Sequence, residues 1–221
     1  MASLSLVIGN KNYSSWSMRA WILMTHFGIA FDEIQTWLYQ PDTEASIKRY
    51  SPTGLVPCLI DGPLHIWDTL AIAEYLAERF PNKNLWPVAP DARAIARSVT
   101  AEMHAGFGAL RRSMPMNIRN RYPGKGRGDE VDRDIARLEA LWNDCRRRFG
   151  AGGDYLFGQF SIADAFYAPI VFRFNTYGVR PRGLADLYMQ AMLASPALQK
   201  LAREAAAEGH ALSVYDDRYP A

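Results

Sequence analysis

The alternation of short strands and helices that stops near residue 80 is the feature that most constrains this fold. Before that point, short apolar runs typical of strands alternate with runs that have helical spacing. After residue 90 no convincing strand pattern follows, and long helical patterns succeed one another. A chain of this kind is predicted to form an α/β part and then an all-helical part.

The first part is predicted to contain strands and helices in the order β-α-β-α-β-β-α. We predict strands at 4–8 and 29–38, helices at 15–27 and 42–50, a hairpin of 58–60 with 64–66, and a helix at 69–80. Gly28 is expected to end the first helix, and Asp61-Gly62-Pro63 provides the hairpin turn. This order matches the thioredoxin-like arrangement, so residues 1–80 are predicted to form a thioredoxin-like α/β domain.

The second part, residues 90–221, is predicted to be an all-α helical domain, joined to the first by a linker at 81–89. Helical patterns cover the ranges 91–119, 129–149, 161–175, 184–194 and 196–208. The first of these is expected to bend or break near Gly106, Gly108 and Pro115, because glycine and proline disfavour a helix interior.

Composition excludes several classes of protein. The chain of 221 residues is 49% hydrophobic and 22% charged, as expected for a globular protein, and its net charge of +2 gives no global field for nucleic acid. Cys58 and Cys145 form no Cys-x-x-Cys pair, and with four scattered histidines they give no metal-ligand spacing. Two isolated cysteines, no membrane-length apolar run and no signal-peptide pattern lead us to expect a cytoplasmic protein without a membrane partner.

A serine-rich motif, Asn12–Ser17, lies between the first strand and the first helix. A helix N-terminus presents unpaired backbone N–H groups and a partial positive charge, so a thiol placed there ionises more easily. A serine hydroxyl at that point can stabilise the thiolate by a hydrogen bond. The alternative role for these serines is to cap the helix.

A proline-containing motif, Ser51–Leu59, precedes and begins the third strand. A cis peptide bond before Pro57 would present the backbone of Val56 to a peptide ligand, which would pair with it as an added strand. The alternative is a trans proline at the edge of a sheet.

A third motif, Ile66–Leu76, covers the junction of the fourth strand and the next helix. The carboxylate of Asp68 can accept a ligand ammonium there, and the hydroxyl of Thr69 with the helix N–H groups can hold a ligand carboxylate. The alternative is again a helix cap.

Together and in this order, the motifs resemble the glutathione S-transferase superfamily over essentially the whole chain. Ser14–Arg19 is similar to the serine-type, zeta-like form of the family's first helix, Ser51–Pro57 to its Asn-Pro-x-Gly-x-Val-Pro motif, and Asp68–Leu76 to its Glu-Ser-x-Ala-Ile-x-x-Tyr-Leu motif. In the helical half, Ser161–Asp164 matches the family's buried capping box, which has a structural role.

The resemblance implies a transferase with glutathione as co-substrate and no metal, in which a serine hydroxyl activates the thiol for attack on small hydrophobic electrophiles. Ser14 is the preferred partner of the sulfur and Ser15 the second choice. Val56 would pair with the cysteinyl backbone of glutathione through a cis bond to Pro57.

The remaining glutathione contacts are also carried over from the family. Asp68 and Thr69 would hold the γ-glutamyl end, although aspartate is one methylene shorter than the family's glutamate. Gln40 is the candidate for the glycine carboxylate. The family further implies a homodimer, with the helices at 69–80 and 91–119 of each subunit facing across a two-fold axis.

The second-substrate pocket is expected between the domains. Its candidate residues are Trp16, Met103, His104, Phe107, Arg111 and Phe172. Roles in the core explain most of these residues equally well, and a lone histidine such as His104 in an apolar helix is typical of a structural residue.

Two further functions stay open. The first is a glutathione-dependent isomerase similar to maleylacetoacetate isomerase. Two residues count against this isomerase function. Trp16 stands where the zeta-like pattern has a cysteine, and Arg173 lies about one helical turn before the position of the expected arginine.

The second open function is that of a non-catalytic glutathione-fold protein, such as a stress regulator that docks on partners. A thiol–disulfide exchanger is disfavoured, because that chemistry needs a cysteine at the first helix.

Overall fold

The computed structural model describes residues 4–219, which begin with a four-stranded mixed sheet. Its strands are β1 (Leu4–Ile8), β2 (Phe31–Gln35), β3 (Cys58–Asp61) and β4 (Leu64–Trp67), in the order β2-β1-β3-β4. β1 runs parallel to β2 and antiparallel to β3, and β3 runs antiparallel to β4. Three helices are interleaved with the strands, namely α1 (Ser15–His26), α2 (Thr43–Lys48) and α3 (Thr69–Arg79).

Strand β2 is shorter than the 29–38 range predicted from the sequence. Thr36 still donates its backbone N–H to Ile8 O at 2.8 Å. The backbone N–H of Leu38 instead donates to the side-chain oxygen of Asn10 at 2.9 Å. The chain therefore leaves the sheet after Gln35 and forms a loop, 36–42, that faces the N-terminal end of α1.

In the rest of the described chain the long elements are helices, after a short 3₁₀ helix at Pro81–Lys83, and two isolated β-bridges lie between residues 155 and 159. Its helices are α4 (Pro90–Ala105), α5 (Gly108–Ser113), α6 (Asp129–Phe149), α7 (Ile162–Tyr177), α8 (Leu184–Ala194), α9 (Pro196–Ala207) and α10 (Ser213–Asp216). The predicted helix at 91–119 is broken after Ala105. A Cβ on Gly106 would lie 2.7 Å from the carbonyl oxygen of Glu102, and Phe107 adopts a left-handed φ of 59°. The α/β part followed by an all-helical part confirms the predicted fold class.

Helix α7 is the centre of the helical part and packs against α1, α4 and α8. Its start is the predicted capping box: the Asp164 carboxylate accepts from the backbone N–H of Ser161 at 2.8 Å and from that of Leu156 at 3.1 Å. The packing of α7 on α1 brings Arg173 of α7 to Ser15, at the N-terminal end of α1. No helix among residues 4–219 is both long and apolar enough to cross a membrane.

Candidate active site

A cavity of about 790 Å³ lies where the N-terminal end of α1 faces the helical part. Of the residues predicted from the sequence, it is lined by Ser14, Ser15, Trp16, Gln40, Val56 and Arg111. The loops before α1, between β2 and α2, and before β3 therefore meet at one place, as the resemblance implied. The opposite wall comes from the region of α5, from α7 and from the C-terminal segment.

Ser14 is the N-cap of α1. Its Oγ accepts from the backbone N–H of Ser17 at 3.3 Å and donates to Ser17 Oγ at 2.8 Å, while Ser17 Oγ accepts from the N–H of Gly9 at 3.0 Å. The capping role held as an alternative is thus present. Because Ser14 also lines the cavity, rotation of its hydroxyl proton away from Ser17 would aim a donor at a ligand and leave the cap bond from the backbone intact.

Ser15 occupies the next position on the rim of the cavity and is half-buried. Its Oγ accepts from Arg173 Nη2 at 3.3 Å. Among residues 4–219 that is its one side-chain contact, so its own hydroxyl proton is available to a ligand. The structure therefore brings both predicted serines to the cavity with different bonding partners.

Val56 lies on the other side of the α1 N-terminus, and its peptide bond to Pro57 is cis, as expected from the motif. In the described part of the chain neither the N–H nor the carbonyl of Val56 has a hydrogen-bond partner. Pro57 is buried behind it and does not line the cavity. The backbone of Val56 is thus free to pair with an extended peptide.

Asp68 and Thr69 lie at the β4–α3 junction, outside this cavity. Asp68 has a left-handed φ of 70° and caps α3 by accepting from the backbone N–H of Leu70 at 2.8 Å. Its other oxygen lies 3.3 Å from His104 Nε2, and the side chain stays 44% exposed. Thr69 is buried. Asp68 borders a neighbouring shallow depression, so a ligand that reached both Val56 and Asp68 would have to cross the rim between them.

Two arginines flank Trp16, and with a third, Arg173, they give the site a positive charge. The Trp16 ring packs between the guanidinium groups of Arg19 at 4.1 Å and Arg111 at 5.4 Å, with its edge toward His104. Arg173 completes the group on α7. No carboxylate in residues 4–219 lies within 4 Å of any of the three guanidinium groups.

Burial lowers the pKa of all three arginines. The pKa of Arg19 falls to about 9 through burial and the charges of Arg111 and Arg173, and the pKa of Arg173 falls to about 10 through burial and the charge of Arg111. Each remains protonated at neutral pH. The charges of Asp68 and Asp134 offset those of Arg19 and Arg111 only in part, and no carboxylate raises the pKa of Arg173. Because a buried charge that is not fully compensated is costly, the cavity is suited to an anionic ligand.

The other candidates for the second-substrate pocket lie elsewhere. Met103 on the buried face of α4 and Phe107 just after the break both lie in the hydrophobic core. His104 faces Asp68 and Trp16, and burial is the main cause that lowers its pKa. Phe172 faces away from α1 and borders a separate depression beside α9. Of the six candidates, Trp16 and Arg111 line the cavity.

The sequence did not place Tyr39, Arg173 or Tyr215 in the cavity wall, although Arg173 lies near the position of the expected arginine. Arg173 had a usable signal, because it is the single charged residue in an otherwise apolar stretch of α7 after Asp164. Its Nε donates to Met114 O at 2.8 Å, which fixes the side chain toward the cavity. Nothing in the local pattern around Tyr39 or Tyr215 indicates that they meet.

Comparison with known proteins agrees with this architecture. The family model for the glutathione S-transferase N-terminal domain matches residues 13–79, and that for the glutathione S-transferase C-terminal domain matches residues 128–202. Together the two models match more than half of the chain.

Individual relatives are similar at low identity. Glutathione S-transferase Z2 of Arabidopsis thaliana is 27% identical over 169 residues, 72% of this chain and 74% of the relative. A stringent starvation protein A homolog of Haemophilus ducreyi is 26% identical over 143 residues, 65% of this chain and 63% of that one. A probable maleylacetoacetate isomerase of Caenorhabditis elegans is 24% identical over 174 residues, 76% of this chain and 78% of that one.

A solved structure supports the same fold. The crystal structure of a glutathione transferase homolog from Burkholderia with bound glutathione superposes with a TM-score of 0.69 at 22% identity, covering 93% of this chain and all of the other. That likeness concerns the fold, and the two matching family models carry the assignment. The chain belongs to the glutathione S-transferase family.

Proposed function

We propose that this protein is a glutathione-dependent enzyme that ionises the thiol at the N-terminal end of α1 and directs it at a small electrophile bearing a carboxylate. One observation carries the proposal: a single cavity has the hydroxyls of Ser14 and Ser15 at a helix N-terminus on one side and Arg111 and Arg173 on the other. This cationic wall favours a carboxylate on the small hydrophobic electrophile that the sequence led us to expect.

Glutathione would lie along the N-terminal half of the cavity. Its cysteinyl backbone would pair with the free N–H and carbonyl of Val56. Its γ-glutamyl ammonium would reach across the rim to Asp68, with Thr69 supplying the amides of the first turn of α3. Gln40, exposed on the loop after β2, is the proposed contact for the glycine carboxylate.

Thiol activation needs a modest free energy. A thiol with a pKa near ~8.5 is only a few per cent ionised at neutral pH, and a decrease of about two units requires roughly 2.7 kcal/mol of preference for the anion. A hydrogen bond from a serine hydroxyl and the field of the α1 N-terminus contribute on the order of 1–2 kcal/mol each. The thiol proton leaves to solvent, and the serine proton stays on its oxygen.

The bound thiolate supports either of two reactions. In transfer, the sulfur bonds to an electrophilic carbon and the leaving group departs with the bonding electron pair. In isomerisation, the sulfur adds to a conjugated double bond, the resulting single bond rotates, and elimination restores the double bond and the thiol. The paired arginines and the similarity to a probable maleylacetoacetate isomerase favour isomerisation. Glutathione is consumed in transfer and regenerated in isomerisation.

Single and double serine variants test the proposal. We expect Ser14→Ala or Ser15→Ala to lower kcat/KM by more than about tenfold, since removal of a donor to a developing or stabilised anion typically costs at least that. Ser98→Ala is the matched control, because Ser98 lies exposed on α4 and bonds only to Ala94 O. If kcat/KM of the double variant stayed within tenfold of the parent value, the serine hydroxyls would have no role in the mechanism.

A non-catalytic regulatory role is the second candidate, favoured by the similarity to a stringent starvation protein A homolog. It predicts glutathione binding without turnover of any electrophile. A panel of unsaturated oxo acids, aromatic halides, epoxides and hydroperoxides separates the two candidates, because the enzyme consumes or isomerises at least one of them.

We also propose that the protein is a cytoplasmic homodimer. Leu64 and Trp67 on β4 are 47% and 46% exposed and adjoin a shallow depression lined by Leu70 and Ala71 of α3. Apolar surface of this kind marks an interface between subunits. Both cysteines are unpaired and buried, which suits a reducing compartment.

A further inference from the structure

The C-terminal segment Glu208–Tyr219, which we call the C-terminal strap, lies beyond residue 202, where the match to the family's C-terminal domain ends. It returns from α9 to the N-terminal part of the chain and places Tyr215 in the wall of the cavity. None of the motifs found in the sequence includes this residue.

Hydrogen bonds anchor the strap to the loop that precedes the two serines. The Glu208 carboxylate accepts from the backbone N–H groups of Lys11 at 2.6 Å and Asn12 at 3.1 Å. The Asp216 carboxylate accepts from the hydroxyl of Tyr13 and from Asn117 Nδ2, both at 2.7 Å. The strap is therefore a fixed part of the site, held by charge-assisted hydrogen bonds at both ends.

Aromatic side chains join the strap to the 36–42 loop across the mouth of the cavity. The ring of Tyr215 stacks on Tyr13 at 5.1 Å, and its hydroxyl lies 3.1 Å from the hydroxyl of Tyr39. His210 stacks on Trp37 at 3.7 Å. Tyr39 adopts a left-handed φ of 59°, which a residue with a Cβ seldom does, and this conformation directs its side chain to Tyr215.

The two tyrosine hydroxyls leave one proton without an acceptor. In a pair of hydroxyls one donates to the other, and the acceptor keeps its own O–H. In the described chain neither hydroxyl has another partner, and both tyrosines line the cavity. Burial and the bond to Tyr39 raise the pKa of Tyr215, so its hydroxyl keeps its proton at neutral pH.

We propose that Tyr215, supported by Tyr39, binds the second substrate: with substrate bound, Tyr39 donates to the Tyr215 hydroxyl, which donates its own proton to a carbonyl oxygen of the electrophile, and the Tyr215 ring limits the size of the substrate. The inference rests on the proposed function, since it assigns the electrophile to this cavity. Arg111 and Arg173 on the same wall of the cavity would hold the carboxylate of the same substrate, so the residues select an oxo acid.

Steady-state kinetics of Tyr215→Phe with two electrophiles tests the hydrogen bond. One electrophile is an α,β-unsaturated ketone that bears a carboxylate, and the other is a benzyl halide without a carbonyl. We expect KM for the ketone to rise about 5- to 10-fold, as for loss of one hydrogen bond. KM for the benzyl halide and for glutathione should stay within about twofold of the parent values. Tyr215→Ala should raise the rate with bulkier benzyl halides relative to the rate with smaller ones.

Tyr219→Phe is the matched control, because the Tyr219 hydroxyl belongs to the same strap but donates to Ser113 O outside the cavity. A Tyr215→Phe protein that behaves like Tyr219→Phe, or that loses the same factor with both electrophiles, would overturn the inference and leave the proposed function standing. A parent enzyme that turns over neither electrophile and does not bind glutathione would overturn the proposed function itself. Thermal melting of both variants checks that each is folded.

Discussion

Replacing Arg173 with methionine is expected to lower kcat/KM for a carboxylate-bearing electrophile by roughly 10- to 100-fold and to leave the methyl ester of the same electrophile nearly unchanged. Arg173 is 5% exposed, and no carboxylate in residues 4–219 lies within 4 Å of it. Its positive charge is therefore unbalanced until an anion enters the cavity.

The magnitude follows from the contacts of the guanidinium. Nε donates to Met114 O at 2.8 Å, and Nη2 reaches Ser15 Oγ at 3.3 Å, so Nη2 faces the place where the reaction occurs. A hydrogen bond to a charged group contributes about 1.5–3 kcal/mol, and about 1.4 kcal/mol corresponds to a factor of ten. Methionine has a similar length and fills the volume, so the loss is mainly one of charge and hydrogen bonding.

The assay compares kcat/KM of parent and variant with the acid and its ester at saturating glutathione. Arg112→Met is the matched control, because Arg112 is the exposed neighbour of Arg111 and pairs distantly with Glu130. The reasoning would be refuted if Arg173→Met lowered activity toward acid and ester by the same factor, since such a loss would come from disturbed packing of α7.

Two further predictions concern stability and glutathione binding. Burial raises the pKa of Asp164 to about 6, above its ordinary value, so folding takes up a proton and stability decreases as the pH rises from about 4 to about 6. Asp164→Asn should remove that part of the pH dependence of the free energy of unfolding, measured with denaturant. An unchanged slope of this free energy against pH would contradict the prediction. Asp68→Ala should raise KM for glutathione by about tenfold or more through loss of the ammonium contact, with kcat little changed; an unchanged KM would place the γ-glutamyl group elsewhere.

Local sequence chemistry was sufficient for much of the fold. Gly28 ends α1 and the Asp61-Gly62-Pro63 turn closes the hairpin, because these residues favour specific backbone conformations. The capping box of Ser161 and Asp164 was equally predictable, since both partners lie within one helical turn. The division of the chain near residue 80 stays a prediction.

Sequence patterns did not predict the contacts between distant segments. Ser15 and Arg173 are 158 residues apart, and Tyr39 and Tyr215 are 176 apart. Periodicity predicts which face of a helix is buried but not which residue it meets. For that reason Met103, Phe107 and Phe172 were plausible pocket residues from their apolar character alone, whereas in the structure Met103 and Phe107 lie in the core and Phe172 borders another depression.

Glutathione is expected to bind with its sulfur at the N-terminal end of α1 and to be ionised there. Ultraviolet titration of the thiolate in the complex of glutathione with the parent protein, followed against pH, measures this directly. We expect a bound thiol with a pKa about two units below ~8.5, and a return toward ~8.5 in the Ser14→Ala/Ser15→Ala double variant. A bound thiol that titrates near ~8.5 in the parent protein, or no binding at millimolar glutathione, would contradict it.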